Sequence, residues 1–362
     1  MLKVLHLGHQ SPYFSAYCSL IADINKISDE IQNIAICSDW KPIPSFVFQS
    51  QDCNTVDSEI LTSTSFYDIF AVDLIVVHGI FHQYQLTPFF IEKKEIKVAW
   101  FSWGGDLYSL LKDSNKHQLL AHILNRSSFV SIDSPEYNLV TQLTRCPPNI
   151  HLHYPSPALN HIYSSDRCYI SEQKFRVMLG HVGSPDLGHI HFLEQLIDCG
   201  ADIHKYFFVI PASYNVEPTY VNELEVFLKA NKIDHKILRE FIPQERYISI
   251  IKTCRAFINL SKEPMAVGTM VAFAYLDVQI YAYLSHKLVI GNNAVDMPHP
   301  GVFQLDSYGY KTLPIEIIFR DKEIIIEPVG NPHATRVEIL KQHHHSGLVG
   351  SHFAALLHML HT

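Results

Sequence analysis

The chain lacks any excess of basic residues: 28 Lys and Arg stand against 36 Asp and Glu, a formal net charge of -8. Without a positive field there is no counterion release to drive nucleic-acid binding, and that class of function is set aside. Cysteine is scarce and unpatterned. Its seven copies are odd in number and never form C-x-x-C, which excludes a disulfide framework or zinc knuckle and fits reduced thiols in a cytoplasmic setting.

Long apolar runs are missing too. The nearest approach to a membrane span, Met265 to Leu284, carries Thr269, Asp277 and Gln279. An Asp at a span's centre costs about 2.5–3.5 kcal/mol, so a buried helix or helix pair is the better reading. Residues Met1 to Gly8 read as a strand, without the basic region and apolar stretch of an export signal. The G-x-G-x-x-G fingerprint and the lysine and hydroxyl of a P-loop are also absent, which argues against dehydrogenase and P-loop chemistry.

What is present begins twice. Lys3-Val4-Leu5-His6-Leu7-Gly8 and Phe175-Arg176-Val177-Met178-Leu179-Gly180 are both buried-strand runs ending in glycine. Each leads through a short loop into a helix-like stretch, the way a doubly wound domain offers backbone N–H groups to a ligand. Strands are predicted at Lys3–Leu7, Asn33–Cys37, Leu74–His78, Lys97–Ser102 and Phe129–Ile132, then at Phe175–Leu179, Tyr206–Ile210, His235–Leu238, Ala256–Leu260 and Lys287–Ile290. Helices are predicted at Pro218–Asn231 and Gln244–Lys252. At 362 residues and 47% hydrophobic content, two α/β domains of roughly 150 residues each are expected, facing a cleft.

Pro147-Pro148, Pro155, Pro157 and the polar Ser164-Ser165-Asp166-Arg167 place the linker at 157–173. The expected domains are thus residues 1–160, residues 174–335, and a helical segment at 336–362 docking at the domain junction. That segment carries Phe353, Leu356, Leu357 and Leu360 on one face. The adjacent imidazoles of His343-His344-His345 diverge on a helix, so they read as a solvated face rather than a metal site.

Four segments carry candidate chemistry. Trp100-Phe101-Ser102-Trp103-Gly104-Gly105-Asp106-Leu107-Tyr108 combines rings, paired glycines and a carboxylate at a strand's end. It suits a sugar face and its hydroxyls, or else a turn whose Asp caps a helix. Gly180-His181-Val182-Gly183-Ser184, with His189 beyond, opens a helix after a strand and suits a diphosphate. Leu74-Ile75-Val76-Val77-His78-Gly79 sets an imidazole at a strand end, where it serves either to take a proton or simply to pack. Ser261-Lys262-Glu263-Pro264, with Gly268-Thr269, offers a carboxylate for a hydroxyl pair and a helix N-terminus, or an ordinary acidic cap.

Val77-His78-Gly79-Ile80-Phe81, Trp103-Gly104-Gly105-Asp106-Leu107-Tyr108, Leu152-His153-Tyr154-Pro155, Gly180-His181-Val182-Gly183 with His189-Ile190, and the Pro211 and Tyr214 segment occur in that order. Together they resemble the bacterial 4-acetamido-4-deoxyfucosyl (Fuc4NAc) transferases, which use a dTDP-linked donor and a lipid-linked acceptor of enterobacterial common antigen. The resemblance implies a GT-B glycosyltransferase of the cell envelope, with the second domain holding the donor and the first the acceptor. It implies no bound metal or other cofactor, since helix N-termini and polar side chains can stabilise the departing diphosphate.

On this reading Asp106 or His78 removes the acceptor proton. The donor is held by Gly180, Gly183, Ser184, His189, Pro211, Tyr214, Glu263, Gly268 and Thr269, and the acceptor by His9, Gly79, Trp103, Gly104, Gly105 and Tyr108. A lipid-linked acceptor implies docking at the cytoplasmic face of the inner membrane. Phe89-Phe90 with Lys93, Lys94 and Lys97 form the candidate edge, a solvated loop being the alternative. A retaining E-x7-E pair is absent, because Val271 stands eight residues after Glu263. Two rivals remain open: a nucleotide-sugar epimerase of the same architecture, and a non-catalytic sugar- or nucleotide-binding subunit of a glycan assembly complex.

Overall fold

The computed structural model describes residues 1–9, 11–38, 53–55, 71–91, 95–156, 159, 162, 174–213, 216–262, 265–290 and 293–362. The expected linker lies almost wholly outside these residues, as do Tyr214, Glu263, Lys93 and Lys94. The chain divides into two compact units. One comprises Met1–Pro157, Leu288–Val295 and Gln342–Thr362, the other Ala158–Lys287 and Asp296–Lys341.

The first unit is built on β1 (Leu2–His9), β2 (Ile31–Ser38), β3 (Cys53–Thr55), β4 (Leu74–His78), β5 (Lys97–Phe101) and β6 (Phe129–Ser131), in the order β3-β2-β1-β4-β5-β6. Every pairing is parallel. Residues Leu74 to His78 are all buried, as expected of a parallel strand covered on both faces. The helix Pro12–Ile27 starts where the Ser11 side chain accepts from Phe14 N–H at 3.1 Å, with Pro12 at the first turn. Phe14, Tyr17, Cys18, Ile21 and Ile24 then recur at helical spacing and are buried.

The closing helix His345–His361 packs on this same unit. Of its buried residues, Ala355, Leu356 and Met359 share one core with Val4, Ile24, Val76 and Phe101, while Phe353, Leu357 and Leu360 lie partly buried beside them. Lys97 Nζ donates to the Met359 and Leu360 carbonyls at the end of that helix, where a cation complements the helix dipole. Lys97 is therefore engaged, and Phe89 is buried. Of the candidate membrane edge, Phe90 is the exposed member among the described residues. No described helix is long and apolar enough to cross a membrane.

The second unit repeats the topology with β7 (Phe175–Leu179), β8 (Tyr206–Pro211), β9 (His235–Leu238), β10 (Ala256–Asn259), β11 (Gln279–Ala282) and β14 (Leu313–Pro314). Their order is β14-β11-β10-β7-β8-β9, again parallel. One expectation is corrected here. Met265 to Leu284 is not a helix pair: the helix Val267–Tyr275 stops before Asp277, whose φ is 54°, and the chain continues as β11. All four β11 residues are buried, so the strand shows no alternation to distinguish it from a buried helix. The run expected as the fifth strand belongs to β12 (Ser285–Ile290), which alternates exposed and buried and pairs with β13 (Asn293–Pro298) in a separate two-stranded sheet.

Candidate functional site

In each sheet the strand order reverses beside the unit's first strand, between β1 and β4 in one unit and between β7 and β10 in the other. Ligands of such sheets sit outside the carboxyl ends of the strands at this switch point. His9 closes β1, and His78 closes β4 with Gly79 next; Gly180-His181 follow β7 and Ser261-Lys262 lie just beyond β10. The sequence-derived segments thus fall at two carboxyl edges, each described in turn.

In the first unit, Asp106 is 1% exposed and fully engaged. Its Oδ2 accepts from Ile80 N at 3.0 Å and Trp100 Nε1 at 2.9 Å, and its Oδ1 from Ser102 Oγ and Trp103 N, both at 2.9 Å. Burial pushes this carboxyl up, and the four donors pull against it. The carboxylate ties the loop after β4 to the loop after β5. Gly104, with φ at 82°, is the cap of the helix Gly105–Lys112 that carries it.

His78 is likewise interior. Its Nε2 lies 3.1 Å from His6 Nδ1 and its Nδ1 lies 3.0 Å from the Tyr154 hydroxyl. Burial holds it well below the usual imidazole range, helped by the neighbouring His6 and His352. Neither Asp106 nor His78 presents a free acceptor atom at the surface. Tyr108 is also buried and donates to Glu136 Oε1 at 3.1 Å.

The surface of this edge is aromatic. His9 lies 4.7 Å from Trp103 and 4.9 Å from Phe81 between ring centroids, with Tyr13 6.3 Å from Trp103. Phe81 and Tyr13 are each 44% exposed. His9 Nδ1 has no hydrogen-bond partner, and burial with the nearby His82 lowers this imidazole to about 4, so it is neutral at pH 7 and able to accept a proton. Of the expected acceptor residues, the structure brings His9, Gly79, Trp103, Gly104 and Gly105 to this edge; Gly79 N donates to the Phe101 carbonyl at 2.8 Å. Sequence reasoning left out Tyr13 and Phe81, although Phe81 stood in a quoted motif.

In the second unit, Gly180 has φ at 68°, and a Cβ there would lie 2.4 Å from His189 Nε2. The glycine is required twice, by its backbone and by the imidazole pressed against it. His189 opens the helix His189–Asp198; its Nδ1 is 3.2 Å from the Tyr220 hydroxyl and its Nε2 has no partner. Neither ring nitrogen of His181 has a partner. Burial lowers His181 to about 4 and His189, with His181 beside it, to about 3. Two neutral imidazoles with unsatisfied nitrogens therefore stand at the mouth of a helix N-terminus. Buried polar atoms of this kind call for a partner.

The other expected donor residues are spread more widely. Gly183 packs against Ala212 and Val221, each 3.0 Å from where its Cβ would be. Ser184 caps a short 3-10 turn, accepting from Asp186 N at 3.4 Å. Pro211 ends β8 and is buried. Gly268 and Thr269 lie half-buried in the first turn of Val267–Tyr275, behind Ala266 at a φ of 64°. His181, quoted in the motif but given no role, is the residue sequence reasoning missed. Replacing Gly180 by alanine is expected to cost about 1–3 kcal/mol from the strained backbone alone, and more through displacement of His189; chemical denaturation measures it.

Among the described residues no group of three or more His, Cys, Asp or Glu is arranged to hold a metal ion. The His343-His344-His345 side chains part company. His343 packs against His153 with ring centroids 4.8 Å apart and the planes tilted by 52°, His344 Nδ1 meets Ser346 Oγ at 2.9 Å, and His345 Nε2 meets Asp23 Oδ2 at 2.7 Å.

No protein-family model and no curated protein matches the sequence. Solved structures do. Anabaena HepE in complex with UDP and glucose is similar over 99% of this chain and 100% of its own, with 12% identity and a TM-score of 0.64. A glycosyltransferase from Rickettsia africae is similar over 100% and 99%, with 10% identity and a TM-score of 0.62. UDP-GlcNAc 2-epimerase from Neisseria meningitidis bound to UDP-GlcNAc is similar over 99% of both chains, with 11% identity and a TM-score of 0.56. The chain has the GT-B fold of these proteins, built from two Rossmann-like units.

Proposed function

We propose that this chain is a GT-B glycosyltransferase that moves a sugar from a nucleotide-diphosphate donor to a hydroxyl of a glycan or lipid-linked acceptor. The observation that carries the reading is His181, neither of whose ring nitrogens has a partner, beside the unpartnered Nε2 of His189 at the Gly180 loop and helix N-terminus of the second unit. Backbone N–H groups and the helix dipole favour an anion there, and the imidazoles add two donors once they are protonated or oriented by it. HepE is seen in complex with UDP and glucose and the Neisseria epimerase bound to UDP-GlcNAc, which supports a nucleotide sugar as the donor. The sequence resemblance makes dTDP-Fuc4NAc the first sugar to test, and a lipid-linked glycan at the inner membrane's cytoplasmic face the first acceptor.

In this reading the acceptor hydroxyl lies on the aromatic surface of the first unit, whose rings suit a sugar face. His9 takes the hydroxyl proton as the oxygen attacks the anomeric carbon, and the bond to the diphosphate breaks. Charge builds on the departing diphosphate, and the second unit's own N–H groups and imidazoles are the donors that suit such a charge. Asp106 holds the loop that carries Trp103 and does not itself act as the base. The reading invokes no metal.

An anion between His181 and His189 raises both imidazoles toward the protonated form. Binding of UDP or dTDP is therefore expected to take up protons and to tighten as pH falls from 8 to 6; calorimetry in buffers of different ionisation enthalpy reads the uptake. The direct test is release of nucleoside diphosphate from a nucleotide sugar. Release that depends on an added glycan acceptor supports transfer, whereas an altered nucleotide sugar formed with no acceptor supports the epimerase. The exposed aromatic surface of the first unit is the observation that favours transfer, since a one-substrate epimerase has no acceptor to hold.

A further inference from the structure

Beneath the aromatic surface runs a line of hydrogen bonds across three neighbouring strands: Asn33 on β2, His6 on β1 and His78 on β4, with Asn25 at one end and Tyr154 at the other. Its polarity can be worked out from the main chain. Asn25 Nδ2 donates to the Asn33 carbonyl at 3.1 Å, and Asn25 Oδ1 accepts from Asn33 N–H at 2.9 Å. Those backbone groups each have one role, so the Asn25 amide has one orientation. Asn25 Oδ1 also lies 2.8 Å from the Asn33 amide nitrogen, which turns Asn33 Oδ1 toward His6 Nε2, 3.0 Å away.

An amide oxygen only accepts, so His6 carries its proton on Nε2. The imidazoles are surrounded by rings, Tyr17 and Phe101 among them, with no carboxylate among the described residues acting on either to stabilise a cation, and both are neutral. His6 Nδ1 is then an acceptor, and His78 Nε2 must donate to it. His78 Nδ1 is an acceptor in turn, and Tyr154 donates its hydroxyl proton inward. Each link has one allowed direction. The Tyr154 ring so held stands 5.0 Å from Trp103, at 71°.

We infer that Asn25, Asn33, His6, His78 and Tyr154 form one polarised hydrogen-bond chain that positions Trp103, which makes His78 and Tyr154 positioning residues of the aromatic surface. The inference deepens the acceptor assignment proposed above and rests on it for its functional meaning. His78 acts through Tyr154, not on substrate.

The test is nitrogen-15 NMR of the full chain with labelled histidine, together with fluorine NMR of the 5-fluorotryptophan-labelled chain. In the unsubstituted protein both His6 and His78 are expected as neutral Nε2–H tautomers. Tyr154→Phe keeps the ring but removes the last donor, and is expected to shift the Trp103 resonance. His6→Leu is expected to shift it as well and to release His78 from its single tautomer. His6→Gln, which offers a donor and an acceptor at similar spacing, is expected to restore both signals. Finding His78 as the Nδ1–H tautomer, or a Trp103 resonance unmoved in Tyr154→Phe, overturns the inference; the phenylalanine variant carries the test should His6→Leu fail to fold. Since NMR needs no ligand, its failure is distinct from failure of the transfer reading, which acceptor-dependent nucleotide release decides.

Discussion

Asp106→Ala is expected to destabilise the first unit by about 3–5 kcal/mol, the range seen when a buried charge-assisted network loses its central partner. The carboxylate is the sole acceptor that Ile80 N, Trp100 Nε1 and Trp103 N are seen to share, and alanine leaves these donors facing apolar surroundings. A domain's whole stability is about 5–15 kcal/mol, so much of the variant should be unfolded on mild warming. Asp106→Asn should lie between the two, because an amide presents one oxygen and turns an NH2 toward a pair of donors. Denaturant unfolding followed by tryptophan fluorescence measures the effect. A loss under about 1 kcal/mol would show that the two loops are held by something else.

Acid should unfold the first unit over a narrow range. His6 and His352 are lowered to about 4 by burial, and His78 is held well below the usual range by burial and by His6. In the unfolded chain each returns to about 6.5. The folded state therefore binds fewer protons than the unfolded state between those limits, and stability falls as pH falls. It is complete above about pH 6.5 and declines by up to about 1.4 kcal/mol per group per pH unit. Three such groups remove about 3 kcal/mol between pH 6 and pH 5. Circular dichroism across a pH series at fixed denaturant reads this slope. His352→Leu, which places an apolar side chain on the closing helix, should flatten it by one group's share, about 1 kcal/mol over that interval.

The strands of the fold were largely legible. Leu74–His78, Phe175–Leu179 and His235–Leu238 fall where the apolar runs put them, and β1, β2, β5 and β6 differ by a residue or two at their ends, whereas the short strands β3, β13 and β14 were not predicted. The error at β11 has a physical origin: Gln279 to Ala282 is covered on both faces, so no alternation sets it apart, while Ser285–Ile290 alternates and drew the assignment. The return of Gln342–Thr362 to the first unit follows from tertiary packing of a helix whose own pattern names no partner.

At the candidate site, sequence located the loops but not the direction of their side chains. A histidine at the end of a strand reads alike whether it points out, as His9 does toward Phe81 and Trp103, or lies in the interior, as His78 does between His6 and Tyr154. Asp106 shows the same ambiguity. An acidic residue after paired glycines serves equally as a base or as the knot of a loop, and only the four donors around it decide. A histidine between glycines, such as His181, reads as spacer, yet neither of its ring nitrogens has a partner.

The most direct test of the account is a thermal-shift screen of the full chain with dTDP, UDP, GDP and CMP, repeated on His181→Ala. A ligand held by the folded state alone raises its stability by about 2.7 kcal/mol at a hundred times its Kd. The account predicts a clear rise in Tm with at least one nucleoside diphosphate, sharply reduced in His181→Ala, whose own unliganded Tm stays close to that of the parent. No rise with any of the four nucleotides, in a protein shown to be folded, would contradict it.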